Sequence, residues 1–509
     1  MKWEPSKGSQ TLPRCSAAGE GAREARGVGR VGCPSRRAGR LPTRLGAVID
    51  KMNAKNESAG AGGPARRLGG QARALALEIA AEARAEWGFL TDIIAAAFRA
   101  NRQLGSGDRR LISETVYGLV RWERRLEAVV DELLAAVQGR GLPEPLSPRG
   151  RQELKLIVYE LRNGLPVDAA RAEVRRILRR DVDLATLAGD DAGLGHSAGI
   201  ERDALRLSYP TWMMERLVAD LGETDALGLA AAMNTRAPLI VRSNGVKVSR
   251  EELIGRLAEE GVVARPTELS PTGLLFETRV NAFGLSAFRD GLFEVMDEGS
   301  QLVAEAVAPP PRGRVVDACA GAGGKTLALA ALLDGQGRIL ALDSNGKKLE
   351  ELRRRARRAG LTNLAAREVG GSAIPTEAKL GAWDRVLVDA PCSGLGTLRR
   401  NPEARWRLVP KTVDGFPAQQ LALMVTYAPL VAPGGRLVYA TCTVLRQENE
   451  SVVERFLAER PDFVLMPLKE IWGKERALRL GDGTYLKVYP HSHGSDGFFA
   501  AVLRRPPRA

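Results

Sequence analysis

Apolar residues recur at steps of three and four along the first half of the chain, with polar residues between them. This spacing predicts amphipathic helices in five runs, at residues 73–87, 90–104, 108–137, 151–165 and 167–180. Asp108 is suited to N-capping the third run, and Asn163 with Gly164 is expected to close the fourth. We expect an all-helical domain over residues 70–182, followed by a Gly- and Asp-rich linker at 183–207.

The second half changes to short apolar runs that alternate with helical patterns. Residues 208–297 predict a small α+β subdomain, with a helix at 249–261 between strand-like segments. Residues 298–506 predict a further domain with six strands, at 314–319, 338–343, 363–368, 384–391, 435–442 and 497–505. Apolar runs of this length that alternate with helices are typical of a parallel sheet covered on both faces.

The charge of the chain favours a polyanionic partner. Lys plus Arg minus Asp plus Glu gives 75 − 61 = +14 over 509 residues. Such an excess of positive charge favours nucleic acid as the binding partner, with an acidic membrane as the second choice. Part of it lies in residues 1–69, a Gly-, Arg- and Ser-rich segment that we expect to be a disordered basic tail. One interpretation of residues 1–51 is a misassigned start, with Met52 as the true one, and a second, less favoured one is an Arg-rich transit peptide.

Several classes of protein are disfavoured by the composition. No apolar run approaches the ~18 residues of a membrane span, and the N-terminus lacks the apolar core of a secretory signal. The five cysteines show no paired spacing, which favours a reducing, cytoplasmic compartment. With three histidines in the chain, a multi-ligand zinc site is not expected. We expect a monomer without a metal ion and without membrane contact.

A glycine-rich loop at residues 319–325 follows the first strand of the predicted sheet. It is not a phosphate-binding P-loop, because the position five residues before Gly324 is Cys319 and not glycine. It also fails the dinucleotide pattern, because a reading from Gly321 requires glycine where Thr326 stands. Its glycines still allow backbone amides to approach a ligand at the N-terminus of the next helix.

An acidic residue, Asp343, ends the second predicted strand, where a carboxylate can accept hydrogen bonds from ribose hydroxyls. Ligands of such sheets bind at the carboxyl ends of the strands. A nucleoside that carries a small charged group instead of a pyrophosphate fits this loop, and S-adenosylmethionine is such a molecule. The alternative is a tight strand–helix turn with a capping aspartate.

Two cysteines follow neighbouring strands. Cys392 comes three residues after Asp389, and Cys442 ends the next strand. Because adjacent strands lie about 4.8 Å apart, we expect both thiols to face one cavity beside the cofactor. A thiolate that adds to carbon 6 of cytosine makes carbon 5 reactive toward a sulfonium methyl group, and Asp389 can stabilise nitrogen 3 if it is protonated or shares a proton. Helix N-termini and Lys325 could activate a thiol, whereas buried cysteines are more often inert.

These motifs resemble the Sun (Nop/Fmu) family of RNA cytosine-5 methyltransferases over about residues 70–505. The similar segments are DEGSQLVAEAVAPPPRGRVVDACAGAGGKT, VDAPCSGLGTLRRNP, GGRLVYATCT and YPHSHGSDGFFAAVLRR. The run DRRLISETVYGLVRW resembles the NusB-like RNA-binding domain of the bacterial small-subunit rRNA members. The resemblance implies an all-α NusB-like domain, a Rossmann-like α/β class I methyltransferase domain and 16S rRNA as the substrate.

The resemblance also implies roles for individual residues. Cys442 is the expected nucleophile, Cys392 assists product release, and Asp389, beside Lys325, is shared between cofactor and base. The residues expected to bind S-adenosylmethionine are Cys319, Ala320, Gly321, Ala322, Gly323, Gly324, Lys325, Asp343 and Asp389. Two rival functions are a tRNA cytosine-5 methyltransferase and a catalytically silent RNA-binding factor for ribosome assembly.

Two sites depart from the family pattern. The loop reads Cys-Ala-Gly-Ala-Gly-Gly-Lys where the family commonly has Cys-Ala-Ala-Pro-Gly-Gly-Lys, so Ala322 replaces the proline. Gly370 and Gly371 follow the third strand where the family has an aspartate near adenine. We therefore expect adenine to contact backbone groups or Ser372.

Further side chains are candidates for RNA contact. RNA phosphates are expected at a basic segment that includes Arg399, Arg400, Arg405 and Arg407, while Trp406 is expected to pack rather than stack on a base. His491 and Asp496 are candidates for approaching the base, although a turn before the last strand explains them equally well.

Overall fold

The computed structural model describes residues 67–138, 146–184, 187, 189–370, 374–376 and 378–507. Most of the predicted basic tail, with Met52, lies outside the described residues, as do Gly371 and Ser372. Among the described residues, no helix is both long and apolar enough to cross a bilayer.

The α-helices are numbered here in chain order. They are α1 (Gly70–Glu86), α2 (Leu90–Ala100), α3 (Ser106–Arg121), α4 (Glu123–Gln138), α5 (Pro148–Arg162), α6 (Val167–Leu178), α7 (Gly199–Arg206), α8 (Thr211–Leu221), α9 (Glu223–Met233), α10 (Arg250–Glu259), α11 (Ser286–Arg289), α12 (Glu298–Val307), α13 (Gly324–Leu332), α14 (Gly346–Ala359), α15 (Ala404–Arg407), α16 (Pro410–Tyr427), α17 (Glu450–Glu459), α18 (Lys469–Trp472), α19 (Lys474–Arg479) and α20 (Pro490–His493).

The strands form two sheets. They are β1 (Ile240–Ser243), β2 (Ala264–Pro266), β3 (Gly273–Phe276), β4 (Phe293–Val295), β5 (Arg314–Asp317), β6 (Arg338–Asp343), β7 (Leu364–Glu368), β8 (Trp383–Asp389), β9 (Val431–Thr441), β10 (Val464–Met466), β11 (Leu486–Val488) and β12 (Phe498–Arg504). The first four make a small sheet, and the other eight make a large one.

Helices α1 to α6 form a helical region whose apolar faces meet in buried cores, as the three- and four-residue spacing predicts. The long run at 108–137 is two helices, because the chain breaks helical geometry at Trp122. Gly105, and not Asp108, is the N-cap of α3. Asp108 instead lies in the first turn, where its negative charge complements the helix dipole. Asn163 caps the C-terminus of α5, as expected.

The segment predicted as a linker, 183–207, carries helix α7 and packs in part against the helical region. Leu184 and Leu194 are buried, and the Arg125 guanidinium donates to the Asp190 carbonyl. The composition of this segment is poor in large apolar residues, so a few leucines account for its packing.

The small sheet has the order β2-β3-β1-β4, and all of its pairs are antiparallel. Its apolar face packs against α10 and α11. Strand β2 was not predicted, because its three residues are partly or fully exposed and show no apolar run. In the β1–β4 pair, Arg242 stands opposite Glu294, so both side chains lie on one face of the sheet.

The large sheet has the order β10-β12-β9-β8-β5-β6-β7, with β11 beside β12. Strands β5 to β9 pair in parallel with one another, and β12 runs antiparallel to β9. All six predicted strands are present. Strands β10 and β11 were not predicted, because three residues are too few to show a pattern of apolar positions. The carboxyl ends of β5, β6, β8 and β9 meet at one edge, which positions the loops that follow them.

Candidate active site

The two cysteines that follow β8 and β9 lie in contact. Asp389 stands opposite Ala440 in the parallel pair, so both chains leave the sheet at the same level. The Cys392 and Cys442 sulfurs are 3.4 Å apart, and both residues are partly buried. The expected juxtaposition of the thiols is therefore present. The Gly396 N–H donates to the Cys442 carbonyl (2.9 Å), which binds the two loops together behind the sulfurs.

A buried carboxylate, Glu448, connects the residues that follow each cysteine. It accepts hydrogen bonds from the Ser393 N–H (2.8 Å), the Ser393 hydroxyl (2.5 Å), the Thr443 hydroxyl (3.1 Å) and the Gln420 amide (3.0 Å). The two hydroxyls also lie 2.8 Å from each other. The sequence analysis missed this residue. In the sequence Glu448 is a charged residue six positions after Cys442. That spacing predicts no role, because the contact with Ser393 arises only in the folded chain.

The thiol of Cys392 is held in its protonated form. The hydrogen bond with the Cys442 sulfur, together with burial, raises the pKa of Cys392 well above its ordinary value. A neutral S–H group beside a second sulfur can donate a proton or a hydrogen bond to it. Either sulfur can be the donor in this contact.

Lys325 and Asp389 form an ion pair beside the thiols. The Lys325 ammonium lies 2.7 Å from the Asp389 carboxylate, and only 11% of the lysine side chain is exposed. Burial alone would lower the pKa of Lys325, but the Asp389 charge and hydrogen bond outweigh it, so the pKa is raised. The lysine thus stays charged, and it holds a partly exposed carboxylate at the carboxyl end of β8.

The glycine-rich loop turns between β5 and α13 with two residues in the left-handed region. Gly321 has φ of 54° and Gly323 has φ of 88°. A Cβ at Gly323 would also stand 2.5 Å from the Leu352 side chain, so this turn requires glycine on two grounds. The Gly321 N–H donates to one oxygen of Asp343 (2.8 Å), while the other oxygen accepts from the Asn345 N–H (2.8 Å). The predicted cofactor residues are therefore adjacent at one edge of the sheet.

Asp317, at the end of β5, has an unused acceptor. It is buried, and one oxygen accepts from the Thr326 hydroxyl (2.6 Å), while the other has no partner among the described residues. Burial raises its pKa to about 7. A ligand that donates hydrogen bonds and carries positive charge, as the methionine part of S-adenosylmethionine does, fits this acid and the neighbouring amides.

Cys319, the third cysteine near the site, is not an activated thiol. Burial, and then the carboxylates of Asp389 and Asp317, raise its pKa far above the ordinary value. Among the described residues, no group of three or more potential metal ligands is gathered at this site or elsewhere.

Arg399, predicted to hold an RNA phosphate, is instead buried in an ion cluster, which corrects that expectation; Arg400 joins the cluster with a partly exposed side chain. Arg399 donates to Asp496 (2.9 and 3.1 Å), and Arg400 pairs with both Asp496 and Asp297. Asp496 is 1% exposed, so it does not approach a substrate base. His491 lies 3.9 Å from the carboxylate of Asp225 on α9.

Arg405 is likewise fully buried, with its hydrogen-bond partners among the described residues. Its guanidinium lies 4.0 Å above the Tyr209 ring and donates to the Tyr209 hydroxyl (3.0 Å) and the Asn234 side chain (2.7 Å). Trp406 packs, as expected, and its indole N–H donates to the Val120 carbonyl of α3 (2.7 Å). This segment therefore anchors the helical region to the large domain. Arg407 is exposed and lies over the Phe89 ring.

The strand order of the large sheet, with one antiparallel strand inserted beside β9 and a glycine loop after β5, defines a class I methyltransferase. Comparison with known families agrees. The family described as 16S rRNA methyltransferase RsmB/F matches residues 304–504, and an RsmF/B-like ferredoxin-like domain matches residues 209–282.

Individual relatives cover most of the chain. The probable ribosomal RNA small subunit methyltransferase B of Synechocystis is 33% identical over 430 residues, which are 82% of this chain and 95% of that protein. Superposition on the crystal structure of PH0851 gives a TM-score of 0.68 at 26% sequence identity, and the match covers 86% of this chain and 100% of PH0851. The chain belongs to the 16S rRNA methyltransferase RsmB/F family and is an S-adenosylmethionine-dependent RNA methyltransferase.

A more distant relative has a name that states its chemistry. The 25S rRNA (cytosine-C(5))-methyltransferase nop2 of Schizosaccharomyces pombe is 30% identical over 310 residues, which are 58% of this chain and 51% of that protein.

Proposed function

We propose that this protein methylates carbon 5 of a cytosine in 16S rRNA, through a covalent bond between Cys442 and the base. The observation that carries the proposal is the 3.4 Å contact of two sulfurs at the ends of neighbouring strands, beside the Lys325–Asp389 pair. Two thiols are of no use to direct methyl transfer onto an oxygen or an amine. They are useful where one must add to the ring and later leave it.

The residues then have distinct roles. The Cys442 thiol passes its proton to Asp389 as Cys442 Sγ bonds to carbon 6, and Asp389, held by Lys325, delivers that proton to nitrogen 3, where the displaced electron pair arrives. S-adenosylmethionine, when bound, supplies the sulfonium methyl group that carbon 5 accepts. A base removes the carbon 5 proton, the ring electrons return, and the carbon–sulfur bond to Cys442 breaks. The protonated Cys392 thiol donates to the departing thiolate from 3.4 Å.

The cofactor is held, in this proposal, by residues 319–325, Asp343 and Asp389. The backbone amides at the start of α13 and the remaining acceptor capacity of Asp343 suit a nucleoside with a charged tail. The unpartnered oxygen of Asp317 adds an acceptor in the same place. Adenine contacts near Gly371 and Ser372 stay a prediction, because these residues lie outside the described part of the chain.

The choice of 16S rRNA rests on the relatives and on the helical region. The Synechocystis relative is named for the small ribosomal subunit. We propose that residues 70–182 form a NusB-like RNA-binding domain and that the protein acts as a monomer in the cytoplasm, where its RNA substrate is made. The boundaries at 183–207, 208–297 and 298–506 stay predictions of the sequence.

The proposal is tested with methyl-labelled S-adenosylmethionine and two substrates, undermethylated 16S rRNA and tRNA. We expect label in 16S rRNA at carbon 5 of cytosine, and none with Cys442→Ala. Cys392→Ala is expected to trap an RNA–protein adduct that survives a denaturing gel. The control is the double variant Cys392→Ala/Cys442→Ala, which must form no adduct.

Each failure has its own meaning. Label in tRNA alone would transfer the substrate assignment to tRNA, and no label in either RNA would favour a silent assembly factor. Full activity of Cys442→Ala would refute the covalent role of that residue.

A further inference from the structure

A partly buried cluster of arginines connects the small sheet to the cofactor loop. Glu294 on β4 has a side chain that is 4% exposed, and it pairs with Arg355 (3.0 Å) and Arg358, both on α14. Arg242, opposite Glu294 in the sheet, is also buried. One carboxylate thus faces three guanidinium groups. The surplus N–H groups need other acceptors, because a buried donor without one is costly.

Arg355 finds its second acceptor in the cofactor loop. Its Nε and Nη2 atoms donate to Glu294 Oε2 (3.2 and 3.0 Å), and its Nη1 atom donates to the Ala322 carbonyl (2.8 Å). The planar guanidinium carries these donors at fixed angles, so the position of Glu294 determines the position of the Ala322 carbonyl. This contact joins residues separated by 33 positions in the chain.

Ala322 is the point of the loop that most needs such a contact. It lies between Gly321 and Gly323, which both have positive φ. Glycine has more conformational freedom than other residues, so the loop is free to leave this conformation when no ligand is bound. The family commonly has a proline here, which restricts the backbone by itself. In this chain the restriction comes from outside the loop, through a hydrogen bond to the only non-glycine residue among positions 321–324.

We propose that Arg355 is a positioning residue for the cofactor. It holds residues 319–325 in the binding conformation before S-adenosylmethionine arrives, with the small sheet as its support. This inference rests on the proposed assignment of that loop to the cofactor. It assigns to the small sheet a part in cofactor affinity that is separate from any contact with RNA.

The test compares Arg355→Ala with Arg358→Ala, a matched control on the same helix that pairs with Glu294 but has no hydrogen bond to the loop. Titration calorimetry with S-adenosylmethionine is expected to show about tenfold weaker binding for Arg355→Ala, equivalent to ~1.4 kcal/mol. Arg358→Ala is expected to bind within twofold of wild type. At saturating cofactor, the kcat of Arg355→Ala is expected to stay within about threefold, so the effect appears in KM.

A second readout uses the protein without cofactor. Amide hydrogen exchange of residues 321–325 is expected to become at least fivefold faster in Arg355→Ala and to stay unchanged in Arg358→Ala. Melting temperatures identify a variant that fails to fold. In that case Arg355→Lys replaces it, because an ammonium keeps the charge beside Glu294 but cannot span both acceptors in fixed geometry.

The inference is overturned if Arg355→Ala binds the cofactor within twofold of wild type. It is also overturned if Arg358→Ala weakens binding equally, because the effect then belongs to packing of the small sheet against α14. A wild-type protein that does not bind S-adenosylmethionine would refute the cofactor assignment itself, and the exchange of residues 321–325 would then decide whether Arg355 restrains the loop.

Discussion

Replacement of Glu448 by alanine and by glutamine separates two ways in which a buried carboxylate can serve the thiols. It either acts through its charge or holds the loops of Cys392 and Cys442 in register. Burial raises its pKa, and the hydrogen bonds from Ser393, Gln420 and Thr443 lower it in part. The geometry favours a holding role, because Glu448 touches the residues next to the cysteines and not the sulfurs.

The cost of Glu448→Ala follows from its four donors. The Ser393 and Thr443 hydroxyls lie 2.8 Å apart and can bond to each other after the change. The Ser393 N–H and one N–H of the Gln420 amide, which keeps its second acceptor at the Pro391 carbonyl, are left without an acceptor, at about 1–3 kcal/mol each. We therefore expect a loss of about 2–6 kcal/mol in the free energy of unfolding. A 1 Å displacement of a reacting group costs on the order of 100-fold in rate, which we expect in kcat.

Glu448→Gln is predicted to be mild. Its carbonyl oxygen can accept from the Ser393 N–H and Gln420, while its NH₂ group donates to the two hydroxyls, which rotate to accept. We expect a loss of less than about 1 kcal/mol and kcat within about threefold of wild type.

Urea unfolding and labelled methyl transfer to 16S rRNA measure the two effects. Glu454, an exposed residue of α17, provides the control variant Glu454→Gln, which should change neither. Equal loss of activity in Glu448→Gln and Glu448→Ala would refute the holding role and would show that the negative charge itself is required.

Two further predictions concern single sites. Gly396→Ala places a Cβ 2.1 Å from the Gly497 carbonyl oxygen and 2.7 Å from the Cys442 carbonyl oxygen, so we expect at least about tenfold lower kcat. The control is Gly415→Ala on α16, where the added Cβ meets open space. This control should add about 0.5–1 kcal/mol to the free energy of unfolding, measured in urea, without changing kcat. Equal kcat for the two variants would contradict this. Asp317, with a pKa raised from 3.8 to about 7, binds a proton more tightly when folded, so its contribution to stability falls as pH rises from about 4 to 7. Asp317→Asn removes that slope, and its stability relative to cofactor-free wild type should rise by up to about 2–3 kcal/mol between pH 5 and 7; parallel urea curves would contradict the assignment.

The strands and the meeting of the thiols could be predicted for one physical reason. Strands buried on both faces read as apolar runs, and parallel strands release their chains at the same edge of the sheet. Cys392 and Cys442 follow two such runs, so their proximity needed no knowledge of the exact register. Strands β2, β10 and β11 have three residues each, which is too few for a pattern to show.

Long-range polar contacts could not be predicted in the same way. Arg399, Arg400 and Arg405 form part of a basic segment in the sequence, and such a segment resembles a phosphate-binding surface. The acids that neutralise the first two, Asp297 and Asp496, lie about 100 positions away in opposite directions. A count of charges along the sequence cannot reveal ion pairs between residues that are so far apart in the chain. The contacts of Arg355 and Glu448 were missed for the same reason.

The roles of the two thiols depend on the same kind of long-range information. In the sequence each cysteine follows a strand and precedes a turn, so either could be the nucleophile. In the fold the two sulfurs share one hydrogen bond in which either can be the donor, and that contact, together with burial, raises the pKa of Cys392. A thiol that retains its proton is a poor nucleophile and a suitable donor to a departing thiolate. The reaction needs one sulfur of each kind, and the shared contact is compatible with either assignment, so the RNA adduct expected from Cys392→Ala and not from Cys442→Ala is the observation that distinguishes them.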